Sequence, residues 1–158
     1  LDPYAVFYLM EEGRMSEAEV RALLETKSGL LGLSGGVGND LRDLEAAAEA
    51  GNDDALLAIR CYCYAIKKYI GAYAAAMGGL DAIAFGGGIG RGSALVRAMS
   101  LSGLEFLGVR LDGFQNRTAL GGMDISLPDS PVRIFVIDTN EELIVARKAA
   151  ALLRGEAG

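Results

Sequence analysis

The residues with the clearest chemical potential in this chain are glycines. Ala82-Ile83-Ala84-Phe85 is a short apolar run that enters Gly86-Gly87-Gly88-Ile89-Gly90-Arg91-Gly92, and a helical pattern opens from Ala94. Glycines let backbone N–H groups approach an anion closely, and a helix start adds free donors with partial positive charge, so such a passage is one way to hold a phosphate. Two common phosphate signatures are excluded by spacing. No glycines fit G-x-G-x-x-G, and no lysine follows the segment as a P-loop requires. What is left is either a phosphate cradle of another type or a tight strand-to-helix turn.

Other chemistries are narrowed by composition. Histidine is absent, which removes an imidazole general base, a His-paired nucleophile and a His-ligated metal from these residues. Cys61 and Cys63 are too few for a disulfide scaffold, and C-x-C in a helical pattern puts them on different faces, so they read as small apolar residues in a reducing cytoplasm. Lys and Arg number 15 against 21 Asp and Glu, giving net charge −6 with no basic block, which argues against nucleic acid and anionic membranes as partners. The uncharged stretches Tyr69–Leu80 and Ala82–Gly90 are broken by Asp81 and too short to span a bilayer. Hydrophobic residues make up 51% of the 158, enough for one domain with a substantial core and somewhat rich for a free-standing one. A first residue of Leu, in place of Met, reads as a piece of a longer protein.

The elements that must position the glycines follow from capping signals and periodicity. Asp2-Pro3 predicts a helix start leading Tyr4–Glu12 to a stop at Gly13. Ser16-Glu17-Ala18-Glu19 is a capping box for a helix reaching about Lys27. Leu30–Asn39 is expected to be irregular, followed by a helix through Ala50. Asn52 then caps a long helix whose stripe Leu56, Ile59, Cys63, Ile66, Ile70 and Tyr73 extends to about Met77. Strands are expected at Ala82–Phe85, Glu105–Val109 and Val132–Ile137, helices at Ser93–Ser100 and Asn140–Arg154, the latter with Asn140 or Thr139 as its cap, and turns through Asp112–Asp129. Helices between strands predict an α/β layer structure with an incomplete sheet and helices packed on it.

Six separated segments then agree in order. Ser28-Gly29-Leu30-Leu31-Gly32-Leu33-Ser34-Gly35, Asn39-Asp40-Leu41-Arg42-Asp43, Lys68-Tyr69-Ile70-Gly71-Ala72-Tyr73, Gly87-Gly88-Ile89-Gly90, Leu104-Glu105-Phe106-Leu107-Gly108 and Thr139-Asn140-Glu141-Glu142-Leu143 resemble the C-terminal half of the acetate kinase family, from Leu1 to about Arg147. That resemblance implies the acetate and sugar kinase, Hsp70 and actin-like (ribonuclease H-like) fold, with residues 1–158 as a C-terminal nucleotide-binding domain lacking its upstream partner. It also implies ATP or ADP with Mg²⁺ as cofactors, a small carboxylate as the second substrate, a cytoplasmic location and homodimers formed through this domain.

By resemblance, Asp40, Leu41 and Arg42 contact the adenosine part of the nucleotide, Gly88, Ile89, Gly90, Arg91 and Gly92 hold its phosphates, and Glu141 helps hold Mg²⁺. Read from the residues alone, Asp40 is a helix cap with Arg42 solvated, and Asn140-Glu141-Glu142 is a cap followed by acids that favour a helix start. Two departures stand out: the loop before Asp40 is a residue longer than usual with Gly38 where Ser is common, and Arg91-Gly92 replaces the family's Glu-Asn. Arg91 is open to two readings, a charged contact to phosphate or a solvated arginine. The acyl pocket and catalytic residues of relatives lie upstream, so this chain is expected to carry no catalytic residue and to be inactive alone. Propionate or butyrate kinase, and a non-catalytic nucleotide-binding or dimerisation module, are the competing readings.

Overall fold

The computed structural model describes residues 2–139 and 141–154, with the backbone alone for Glu141, Glu142 and Ile144. The chain divides into two compact units, Leu1–Ile66 and Lys67–Gly158.

The first unit is helical, and its boundaries follow the capping chemistry of the sequence. The Asp2 carboxylate accepts the Tyr4 N–H at 2.9 Å, Pro3 has helical backbone angles, and α1 (Tyr4–Glu11) follows. The chain must turn at Gly13, where a Cβ would lie 2.5 Å from the Leu9 carbonyl oxygen. Ser16 and Glu19 form the expected reciprocal capping box for α2 (Glu17–Thr26). The stretch expected to be irregular instead contains α3 (Gly29–Leu33), a single turn entered through Gly29 at φ +61°. Its end is fixed by buried Ser34, whose hydroxyl donates to the Leu31 carbonyl at 3.1 Å and accepts from Gly38 N–H at 3.4 Å. Next, α4 (Leu41–Glu49) buries Leu41 and Leu44 and ends at Gly51. Asn52 Oδ1 takes the Ala55 N–H at 2.9 Å and starts α5 (Asp53–Met77), as its sequence position predicts.

The second unit holds the sheet. Strand β1 (Ala82–Phe85) pairs in parallel with β3 (Arg133–Val136), setting Ile83 beside Ile134 and Phe85 beside Val136. A two-residue strand, β2 (Met123–Asp124), pairs antiparallel on the other side of β3, giving the order β1-β3-β2. Alternate residues of β1 and β3 face inward, where Ile83, Phe85, Ile134 and Val136 join Leu101, Leu104, Val109, Ile125 and Val132 in one core. Each such side chain fully removed from water contributes about 1.5–3 kcal/mol, so register is set strongly by this face.

Three expectations are corrected in this unit. The glycine segment is itself helical, as α6 (Gly87–Gly92), and α7 (Ala94–Leu101) follows it. Glu105–Leu107 is a 3₁₀ turn, because the Glu105 carboxylate turns back to accept the Gly103 N–H at 3.1 Å and Gly108 leaves at φ +88°. Val109 alone bridges to Val132. The turn-rich stretch contains β2 and a short helix, α8 (Gly113–Thr118), which Asp112 caps by accepting N–H groups of Phe114 and Gln115 at 2.9 and 3.0 Å. The final helix is α9 (Glu141–Leu153); of its two candidate caps, Asn140 lies outside the described residues and the Thr139 hydroxyl accepts the Gly87 N–H.

Candidate functional site

In the first unit, Asp40 and Arg42 form a closed pair at the start of α4. Asp40 Oδ1 accepts the Arg42 backbone N–H at 2.9 Å and the Nε–H at 3.0 Å, while Oδ2 accepts from the terminal guanidinium nitrogen at 2.6 Å. The Arg42 side-chain hydrogen bonds, followed by its backbone N–H, hold the Asp40 carboxyl down to about 2. Asp40 thus caps its helix, as the residue types alone predict, and also restrains an arginine whose side chain is 88% exposed. Leu41 is buried at 5% exposure and anchors the segment, leaving Asp40 and Arg42 as the groups available to a ligand.

In the second unit, the glycine segment leaves the carboxyl end of β1 next to the carboxyl end of β3. Open α/β sheets bind ligands at the carboxyl ends of their parallel strands. The glycines there have different physical reasons. A Cβ on Gly86 would lie 3.0 Å from Thr139 Cγ2 and 3.1 Å from Ile137 Cγ1, and one on Gly90 would lie 3.2 Å from the Phe85 carbonyl carbon. Gly87 turns at φ +69° and donates its N–H to Thr139 Oγ1 at 3.1 Å. Gly88 and Gly92 meet none of these demands: a Cβ on either would have nothing within 4 Å. Their lack of side chains leaves the outer face of α6 open to close approach.

The segment is helical despite glycine's poor propensity because its carbonyl end is held from behind. Arg97, on α7 and 2% exposed, donates to the carbonyls of Gly90 and Arg91 at 2.8 and 2.7 Å. Its other donors go to Asn116 Oδ1 and the Asn116 carbonyl, each at 2.7 Å, and Asn116 Nδ2 in turn bonds the Ala94 carbonyl at 2.9 Å. These acceptors are all uncharged, and burial pushes the guanidinium below the usual arginine range. Ser93 joins the two helices without a spacer: its N–H bonds the Ile89 carbonyl at 2.9 Å, and its hydroxyl accepts the Val96 N–H at 3.0 Å.

Arg91 is neither free nor simply solvated. Its Nε lies 3.0 Å from Asp138 Oδ1, in an ion pair whose members are 58% and 60% exposed. Gly88, Ile89, Gly90, Arg91 and Gly92 are therefore brought together in one helix, stitched at both ends to residues 138 and 139. Asp40, Leu41 and Arg42 belong to the first unit. The Glu141 side chain lies outside the described residues, where the backbone shows only that it opens α9. Among the described residues no three His, Cys, Asp or Glu side chains cluster to hold a metal, and no helix is long and apolar enough to cross a membrane.

Reading the sequence missed Arg97, Asn116 and Asp138, and it offered Thr139 as a helix cap without its bond to Gly87. One signal was present: a lone arginine in the apolar run Ala94-Leu95-Val96-Arg97-Ala98-Met99 needs a buried partner.

A three-stranded partial sheet with helices, carrying a glycine segment at the ends of its parallel strands, has the fold of acetate kinases in the acetate and sugar kinase, Hsp70 and actin class, to which solved structures match closely. The *Porphyromonas gingivalis* acetate kinase superposes with TM-score 0.86 at 42% identity, covering 97% of this chain and 38% of that one. Residues 1–147 match the model of the Acetokinase family, and the chain belongs to that family. Acetate kinase from *Caldicellulosiruptor bescii* is 47% identical over 155 residues, or 97% of this chain and 39% of that protein. A propionate kinase from *Francisella tularensis* superposes with TM-score 0.83 at 34% identity, covering 94% of this chain and 37% of that one. The chain thus spans about two fifths of the length of such relatives.

Proposed function

We propose that this chain is the nucleotide-holding, C-terminal part of an acyl-phosphate-forming kinase, and that the intact protein transfers the γ-phosphoryl group of ATP reversibly to acetate, giving acetyl phosphate and ADP. The observation that carries this reading is the combination of family membership with a glycine segment whose Gly88 and Gly92 are open outward at the carboxyl end of β1. The free backbone donors at the start of α6, at Gly88 and Ile89, hold the phosphates with Arg91, while Gly92 leaves room for close approach and Gly90 seats the helix against Phe85. Asp40 accepts from ribose hydroxyls and the Arg42 guanidinium stacks on or bonds to adenine, once nucleotide draws the two apart.

Phosphoryl transfer to a carboxylate asks a protein mainly to position two anions and disperse their charge. Glu141 is the carboxylate assigned to Mg²⁺, which when bound offsets the charge of the phosphates. A carboxylate suits a hard cation in type, and Glu141 opens α9 two residues after Thr139, whose hydroxyl accepts the Gly87 N–H of the glycine segment. The chain alone is inactive on this reading, because the groups that hold the acid are supplied elsewhere in the intact protein. Cytoplasmic location and pairing of two copies belong to the same proposal.

The test is acetyl phosphate formation by the intact protein from ATP and acetate, run beside propionate and butyrate, with calorimetric titration of Mg-ADP. Turnover with acetate supports the reading. A preference for the longer acids supports a propionate or butyrate kinase, which the likeness to the *Francisella tularensis* propionate kinase favours. Nucleotide binding without turnover on any acid leaves a binding module, the reading that the Arg91-Gly92 departure favours.

A further inference from the structure

The Arg91–Asp138 pair is built rather than incidental. Asp138 follows β3 and reaches back across the end of the sheet to an arginine on α6. Its carboxylate occupies the space that a Cβ on Gly121 would fill. Gly121 has an ordinary backbone conformation, so room for that carboxylate is what its missing side chain provides. The next residue, Gly122, fastens the turn to the same strand through an N–H bond to the Val136 carbonyl at 2.7 Å. Two elements from different parts of the sequence thus cooperate to hold Asp138 against Arg91.

We propose that Asp138 sets the affinity of the glycine segment for a nucleoside polyphosphate by competing with the phosphates for Arg91; this rests on the nucleotide reading above. An exposed ion pair is weak, whereas an arginine on phosphate makes charge-assisted and often bidentate bonds, so a bound polyphosphate takes the arginine and leaves Asp138 unpaired. The ion pair is therefore a cost that every binding event must meet. Where a neutral side chain stood at 138, Arg91 would be available from the outset.

The experiment is a double-mutant cycle on the intact protein, with Mg-ATP and Mg-ADP dissociation constants read by calorimetry. Asp138→Asn keeps the shape and removes the charge, and tightens binding about two- to fivefold. Gly121→Ala, which displaces the Asp138 carboxylate while leaving both charges in place, tightens binding in the same direction. Arg91→Ala weakens binding, and adding Asp138→Asn to Arg91→Ala changes nothing further. Unchanged or weaker binding in Asp138→Asn overturns the proposal, and so does tightening that persists in the Arg91→Ala background, since that is direct repulsion of phosphate by Asp138. Wild-type protein that binds nucleotide with variants that do not differ from it overturns this proposal alone. Absence of nucleotide binding in the wild type and all variants overturns both it and the nucleotide reading.

Discussion

Arg97 grips Asn116 twice, at the side-chain oxygen and at the backbone carbonyl, both at 2.7 Å, and with its remaining amino group holds the last carbonyls of the glycine helix. One buried cation therefore connects α6, α7 and α8. A guanidinium is suited to this because its donors lie in a fixed planar fork.

Replacing Arg97 by Met is expected to destabilise the intact protein by about 3 kcal/mol, since two buried and two part-buried acceptors lose their donor. Arg97→Lys recovers only part of this, because an ammonium group cannot reproduce the fork. Urea unfolding of both variants is the measurement, and equal stability of Lys and Arg at this position would refute the geometric role.

Gly90→Ala places a Cβ 3.2 Å from the Phe85 backbone, so α6 must lift away from β1. The expected cost is about 1–3 kcal/mol, with a rise in nucleotide KM. Gly92→Ala meets no such obstacle, and it should weaken nucleotide binding with the unfolding midpoint unchanged or slightly raised, because alanine favours a helix over glycine. Thermal unfolding and steady-state kinetics of the two variants separate packing from ligand approach.

For Asp40 the pH dependence has a definite sign. Its carboxyl is held down to about 2 from an ordinary 3.8, so its contribution to stability is fully present above 3.8 and is lost as pH falls through about 2. A ¹³C titration of the Asp40 carboxyl should give a midpoint near 2. In Arg42→Ala the midpoint should rise toward the ordinary value, while the backbone bond from residue 42 keeps it somewhat low. A midpoint in the ordinary range for the wild type would show that the pair does not persist in solution.

Bound Mg-ADP should raise the melting temperature of the intact protein, by an amount equivalent to about 2.7 kcal/mol at a hundredfold excess over Kd. Chelation of the divalent cation should remove most of that gain. Glu141→Gln should reproduce the chelator's effect, and a full shift in that variant would take the metal role away from Glu141.

Much of the fold is legible in local chemistry. The capping box at Ser16 and Glu19, Asn52 before α5 and the apolar run of β1 each announce their elements, because the signal lies within a few residues of its effect. Elements fixed by distant partners are not legible in this way. The α6 helix runs against glycine propensity and depends on Arg97; α8 is six residues long and has too little periodicity to detect. Glu105–Val109 reads as a short strand, yet the Glu105 carboxylate bonds back to Gly103 and closes a turn.

The same division applies to the site. The glycines and the Asp40-Leu41-Arg42 segment stand out by residue type and by family resemblance. The Arg91–Asp138 pair and the Thr139–Gly87 bond join segments far apart in sequence, and only the pairing of β1 with β3 brings them together.

Ser93 both finishes α6 and begins α7, so no slack exists between the two helices. Any movement of the glycine helix toward a ligand must carry α7 with it as a single lever. Closure in this unit should therefore register as a tilt of paired helices, visible at Val96 and Leu101 deep in the interior, and not as the local folding of a surface loop.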